Sequence, residues 1–218
     1  MNQPSKALPW TIGLGLLLFL LCLALAFVYA GLNSRAAHHR RMPVYAQVGD
    51  FTLTNQSCAA VSLADLHGRV WVADIIFTRC AGPCLTMSRQ MKELQTAFPP
   101  ESRARLVSLT TDPDFDTPPV LLKYAERFGA DTNRWMFLTG TRNQIGALAA
   151  GSLKLSAVGI KPADRVSPDD LFVHSTIFVV VDKPGRLRGV FQTAGEGVSW
   201  PIEKRKILAA VRQLEREE

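Results

Sequence analysis

Two cysteines, Cys80 and Cys84, close a stretch that runs Val70-Trp71-Val72-Ala73-Asp74-Ile75-Ile76-Phe77-Thr78-Arg79-Cys80-Ala81-Gly82-Pro83-Cys84. Its first half is apolar and rich in β-branched and aromatic residues, the composition of a strand buried on both faces. Beyond the cysteines, apolar residues recur at positions 87, 91, 94 and 98, which is helical spacing. Gly82 suits a turn, and Pro83 suits a first helical position, where its missing N–H would have had no partner. Cys80 is therefore expected at the end of a strand and Cys84 in the first turn of a helix. Unpaired backbone N–H groups and the positive end of the helix dipole both favour a thiolate there. Two thiols about one helical turn apart can close a disulfide or hold a soft metal ion.

The elements that must position this pair can be read on either side of it. Residues 74, 76, 78 and 80 share one strand face, so Asp74 can lie beneath Cys80 and accept its proton; a hydrogen-bonded structural carboxylate is an equal reading. Upstream, Phe51–Asn55 alternates as a short strand, and Val61–Leu66 reads as a hairpin or short helical turn. Downstream, Arg105–Thr110 is a second strand. Thr117-Pro118 caps and opens a helix that stops at Gly129. Trp135–Leu138 is a third strand, followed by a helix from about Arg142 to Ala150. Residues 151–173 read as a loop leading to His174, which opens a fourth buried strand through Val181. Asp182–Gly185 turns the chain into Leu187–Phe191, and Pro201 opens a terminal amphipathic helix. Strands alternating with helices and ending in an antiparallel hairpin make an α/β sandwich: a central mixed sheet flanked by helices. Several chemically suggestive residues take plainer readings. Met87 and Met91 belong to the packed helix face, and Cys58 is a bystander thiol in a turn. Asp112 and Asp116, among Pro and Thr, shape a loop and cap a helix. His38-His39 is a pair of exposed linker histidines.

Of 218 residues, 25 are Lys or Arg and 19 Asp or Glu. Residues 1–41 contain Lys6, Arg35, Arg40 and Arg41 and no acid, so most of the net +6 lies there. The remainder is nearly balanced, which argues against a nucleic-acid-binding surface. From Trp10 to about Tyr29 the chain is uncharged and dominated by Leu, Ala and Phe, long enough to cross a bilayer. The run exceeds the usual core of a cleaved signal, which favours a retained anchor, although Val28-Tyr29-Ala30 resembles a cleavage site. Residues 1–30 are thus expected as the membrane anchor, 31–47 as a tether and 48–218 as one domain. By charge count alone, the arginines after the helix outweigh Lys6 and would keep the domain in the cytoplasm.

A strand delivering a cysteine to a helix N-terminus, followed by βα units and a ββα ending, resembles the thioredoxin fold. More narrowly, the chain resembles the Sco/SenC family of membrane-anchored copper proteins over roughly residues 49–215. The motifs are Phe77-Thr78-Arg79-Cys80 with Cys84, Thr111-Asp112-Pro113 with Asp116-Thr117-Pro118, Trp135–Gly140, and Val173-His174-Ser175-Thr176 with Gly185–Gly189. Ala81 and Leu85 stand where the family usually has prolines. The resemblance implies copper, as Cu(I) or Cu(II), held by Cys80, Cys84 and His174. It implies a role as a copper chaperone for the binuclear copper site of cytochrome c oxidase. Its partners would be the copper-bearing oxidase subunit, the membrane and another periplasmic copper carrier. The domain would then lie on the periplasmic side of the inner membrane behind a single span, against the charge count.

Two other classes stay open at this level. A thiol–disulfide oxidoreductase would use Cys80 and Cys84 as a redox pair, with Asp74 as proton acceptor, to reduce the oxidase's copper-ligand cysteines. The Cys-x-x-x-Cys spacing and the lack of a proline immediately before Ile177 count against a general thioredoxin-like reductase. A redox or copper sensor would catalyse nothing and signal through a partner.

Overall fold

The computed structural model describes the chain except residues 1–6, 39–40, 81, 156, 160–171 and 218, and describes only the backbone at 7–11, 31–38, 157–159 and 172–174. It comprises two compact units, Met1–Arg41 and Met42–Glu218. The first is a single helix, α1 (Ala7–His38), whose segment Ile12–Ala30 has a mean hydropathy of 2.7 and is long and apolar enough to cross a membrane. The helix continues through 31–38, where the sequence pointed to a tether. Arg35, Ala36 and Ala37 are good helix formers, and extending an existing helix gains one hydrogen bond per residue fixed. His39 lies outside the described residues.

The second unit contains, in order, β1 (Ala46–Gln47), β2 (Thr52–Asn55), β3 (Ala60–Ser62), α2 (Leu63–Leu66), β4 (Trp71–Ile76) and α3 (Pro83–Ala97). There follow β5 (Arg105–Thr110), α4 (Pro118–Arg127), β6 (Trp135–Thr139), α5 (Arg142–Gly146), β7 (Ala157–Gly159), β8 (Phe172–His174), β9 (Ile177–Val181), β10 (Arg186–Gln192) and α6 (Trp200–Arg216). Eight strands form one mixed sheet in the order β1-β10-β9-β4-β5-β6-β2-β3. The central trio β4, β5 and β6 is parallel, with antiparallel strands on both sides. This is the mixed sheet with flanking helices that the sequence pointed to.

Period-two alternation along β4 divides the core between two faces. Val72 and Ile76 pack with Met91 of α3, Leu121 of α4 and Ile207 of α6; Trp71, Ala73 and Ile75 pack with Leu66 of α2 and Ile145 of α5. Met87 and Met91 are fully buried in the first of these layers, as their spacing predicted. Asp74, also on that face, is the one charged residue in the strand.

The segment after α5 departs from expectation. Residues 147–152 form a π-helical turn rather than a plain helical end, with the Leu153 N–H donating to the Leu148 carbonyl at 2.9 Å. That widening brings Leu148, Leu153 and Leu155 into the second core layer. Residues 151–173 are not one loop: β7 and β8 pair antiparallel as a separate two-stranded sheet, Val158 opposite Val173. Three-residue strands whose partners lie far along the chain leave no local periodicity to read. His174 consequently ends β8, opposite Ala157, and Ser175-Thr176 separates it from β9. It does not open the long buried strand.

Candidate thiol and metal centre

Cys80 follows β4 by a short turn in which its N–H donates to the Phe77 carbonyl at 3.1 Å. Cys84 is the second residue of α3, behind Gly82 and Pro83. Both are present as thiols. Cys80 is 7% exposed and Cys84 0%. The two side chains are hydrogen-bonded to each other. That bond, then burial, then the charge on Cys80 push the Cys84 thiol far above its ordinary range. A backbone hydrogen bond at Phe77 works weakly the other way, and Asp74 adds to the rise. Cys84 therefore keeps its proton, and Cys80, the more accessible sulfur, is placed to react first.

Asp74 is 0% exposed, and its charge acts on both Cys84 and Tyr124. The Tyr124 hydroxyl, buried and 2.9 Å from Ser88 Oγ, is pushed up by burial and, more weakly, by the charges of Cys84, Asp74 and Cys80. The strand face thus brings Asp74, the two sulfurs and a phenol into one electrostatic neighbourhood inside an apolar layer. In such a medium each charge is felt strongly by its neighbours.

The turn that presents Cys80 is gripped from the loop after β5. Asp116, completely buried, accepts from the Thr78 N–H (3.1 Å), the Thr78 hydroxyl and the Thr110 hydroxyl (2.5 Å). Burial raises its pKa despite those three donors, which favour the charged form. Asp112 pairs with Arg79 at 2.5 Å, and the Arg79 guanidinium lies 4.1 Å from the centre of the Phe115 ring. Thr117 is the N-cap of α4. Asp112 and Asp116 thus shape the loop as expected, and among the described residues no three His, Cys, Asp or Glu side chains are grouped to hold a metal. Sequence reasoning missed what they grip. The acidic motif was visible, but its partners lie 33 and 38 positions away.

The His174 side chain lies outside the described residues. Its backbone context is clear. β9 runs antiparallel to β4, with Trp71 opposite Val181 and Ala73 opposite Val179, so the start of β9 lies at the sheet end where β4 leads into Cys80. The Thr176 carbonyl accepts from both the N–H and the hydroxyl of Thr193, each at 2.8 Å. The Thr193 carbonyl in turn accepts from Gln90 Nε2 of α3 at 3.0 Å. The chain two residues after His174 is thereby tied to the helix that carries Cys84. Cys58 is exposed, at a positive φ of 61° in the turn after β2, away from any of these contacts.

Comparison with known proteins gives a consistent result. The family model described as SCO1/SenC matches residues 41–202. A SCO1 protein homolog of Bacillus subtilis (strain 168) is 35% identical over 147 residues, 66% of this chain and 73% of that one. The solved structure of BsSco, reported with a disulfide switch and described as a member of the Sco family of cytochrome c oxidase assembly proteins, is 30% identical. It superposes with a TM-score of 0.67 over 82% of this chain and 98% of its own. Bradyrhizobium japonicum ScoI, solved with copper bound, shares the fold at 20% identity, with a TM-score of 0.63 over 78% of this chain and 99% of that one. The chain belongs to the SCO1/SenC family, and its second unit has that family's thioredoxin-like fold.

Proposed function

We propose that this protein carries copper on Cys80, Cys84 and His174 and passes it to the binuclear copper site of cytochrome c oxidase. The observation that carries the reading is the contact between two buried sulfurs at the mouth of α3. Paired thiolates are the donor set that soft Cu(I) prefers, and an added imidazole suits Cu(II). Support for the third ligand comes from the backbone, since the end of β9 nearest His174 is held against α3 through Thr193 and Gln90. Support for the cargo and its destination comes from relatives: one was solved with copper bound, and another is described as an oxidase assembly protein. The copper-bearing oxidase subunit is then the acceptor, and another periplasmic carrier supplies the metal. Helix α1 is the single inner-membrane anchor, with the domain on the periplasmic side.

Metal binding displaces the thiol protons, so the raised Cys84 pKa makes loading pH-dependent. Asp74 is the nearby group that can take a proton during loading. The test is titration of the reduced protein with Cu(I) and Cu(II), with sulfur ligation followed spectroscopically. Replacing His174 with Ala should weaken Cu(II) binding most, because the thiolates dominate for Cu(I). Unchanged affinity for both oxidation states would refute the ligand assignment.

A second reading draws on the inequality of the two thiols. Cys80 as attacking sulfur and Cys84 as protonated resolving sulfur, above Asp74, is an arrangement suited to reducing the oxidase's copper-ligand cysteines. The disulfide switch reported for BsSco points the same way. Metal-free reduced protein incubated with an oxidised copper-site peptide separates the readings. Absence of disulfide reduction, with copper transfer intact, leaves the chaperone alone.

A further inference from the structure

At the end of the central strands opposite the cysteines lies a recess of about 730 Å³. It is bounded by the turn before β4, the segment between α3 and β5, the β9–β10 turn and the last turns of α6. Five cationic side chains line it, Arg69, Arg103, Lys183, Arg212 and Arg216, against the carboxylates of Glu101 and Glu215. One of those carboxylates is already committed: Glu215 Oε1 accepts from Ser102 Oγ at 2.8 Å and from the Arg103 N–H at 3.0 Å. Lys183 donates to the Glu217 carbonyl at 2.8 Å. The four guanidinium groups are different. Among the described residues none of Arg69, Arg103, Arg212 or Arg216 takes part in an ion pair, while Arg79, Arg142, Arg186 and Arg188 all do.

We infer that this recess binds a phosphate ester, the headgroup of an anionic phospholipid or a soluble phosphate ester of similar size. Five cations against two carboxylates leave the recess with an excess of positive charge, which raises the local potential and draws in an anion. Guanidinium favours phosphate over carboxylate chains in a concave site because its planar fork can bind phosphate oxygens in pairs from several directions. The volume leaves room for an ester substituent beside the phosphate. A chain that also bears an apolar helix fit to cross a membrane meets phospholipid headgroups at high effective concentration. The recess is remote from the thiols: β4 alone separates the two ends of the sheet by about 20 Å. It is thus independent of copper or disulfide chemistry.

The test uses the full chain in an uncharged detergent, titrated calorimetrically with three probes: dihexanoyl phosphatidylglycerol, glycerol 3-phosphate and a pentaglutamate peptide. Saturable binding of the first two, weakened at least tenfold in Arg103→Gln/Arg212→Gln, is the expected result. Both side chains are exposed and outside ion pairs, so the variant should keep the wild-type unfolding midpoint. A second variant, Arg89→Gln/Lys123→Gln, removes the same charge from other surfaces and should bind as wild type. Binding of phosphatidylglycerol without glycerol 3-phosphate identifies the lipid as the source, and equal binding identifies the soluble ester. No saturable binding, equal loss in both variants, or equal affinity for pentaglutamate would overturn the inference.

Discussion

Asp116 offers the sharpest test of how the sulfur-bearing turn is held. Replacing it with Ala would strand three donors in a buried place: the Thr78 N–H, the Thr78 hydroxyl and the Thr110 hydroxyl. The hydroxyls can turn towards other acceptors, but the backbone N–H cannot. An orphaned buried donor costs about 1–3 kcal/mol, so Asp116→Ala should lose roughly 3 kcal/mol of stability in all. A domain of this size, stable by about 5–15 kcal/mol, stays folded. Asp116→Asn should cost less, because it keeps a carbonyl acceptor and removes a charge that burial disfavours. The sign of the pH effect follows. With a folded pKa raised above 3.8, Asp116 contributes stability that is fully present below that value and is lost as pH rises through the folded pKa. Asp116→Asn should abolish that decline. Urea midpoints at several pH values would measure both effects, and Cu(I) competition would show whether loosening Thr78 weakens the Cys80 site. An Asp116→Ala protein with wild-type stability and wild-type copper affinity would refute the claim that this carboxylate sets the turn.

Other expectations follow from the same contacts. Arg188, at a β-bulge in β10 and 2% exposed on its side chain, pairs with Asp182 (2.6 Å) and Glu217 (2.8 Å) and donates to the Met42 and Pro43 carbonyls. Arg188→Met should cost about 3–5 kcal/mol in urea unfolding by leaving the buried Asp182 carboxylate without it, and a loss near zero would contradict this. For Glu217, burial opposes the charge but the Arg188 and Gln213 hydrogen bonds outweigh it, leaving the pKa lowered. Its contribution is present above 4.5 and lost as pH falls through the folded pKa, so Glu217→Gln should flatten the acid limb of a stability–pH curve. Limiting iodoacetamide at neutral pH should label Cys80 before Cys84, read by peptide mass spectrometry; preferential labelling of Cys84 would reverse the assigned roles of the two sulfurs.

Much of the scaffold was legible because its signals are local. β4 and β5 are short segments rich in buried apolar residues, and Pro118 and Gly129 bracket α4 by their backbone constraints alone. The same logic placed Cys84 at the start of α3. What escaped was set by tertiary contacts. The π-helical turn exists because it lets Leu148, Leu153 and Leu155 share one core layer, a reason visible only once that layer is assembled. The pairing of β7 with β8 depends on residues far apart in sequence. Reading His174 as the start of β9 failed for this reason: the three polar residues ahead of the apolar run Ile177–Val181 do not reveal by themselves that His174 pairs with Ala157 and that Ser175-Thr176 forms a joint.

That joint bears directly on the candidate centre. Had His174 opened β9, its position would have been fixed by the sheet. Instead it closes a strand of the small second sheet, and the connection to the main sheet is the pair Ser175-Thr176. The far side of the joint is firmly held, since Thr176 is bonded twice to Thr193, and Thr193 to Gln90 on α3. The sulfurs are held as firmly by Asp116 and by the start of α3. In the proposed ligand set, two donors sit on the rigid frame and the third on a separate two-stranded sheet, so coordination can change by moving one piece. That is what a carrier requires: a two-sulfur state for Cu(I), a state with an added imidazole for Cu(II), and a route between them that leaves the core undisturbed. Shortening the joint by deleting Ser175 should therefore alter the relative affinity for the two oxidation states while leaving the unfolding midpoint nearly unchanged. If both affinities fell together with stability, the hairpin would be part of the frame, and the division of labour argued here would be wrong.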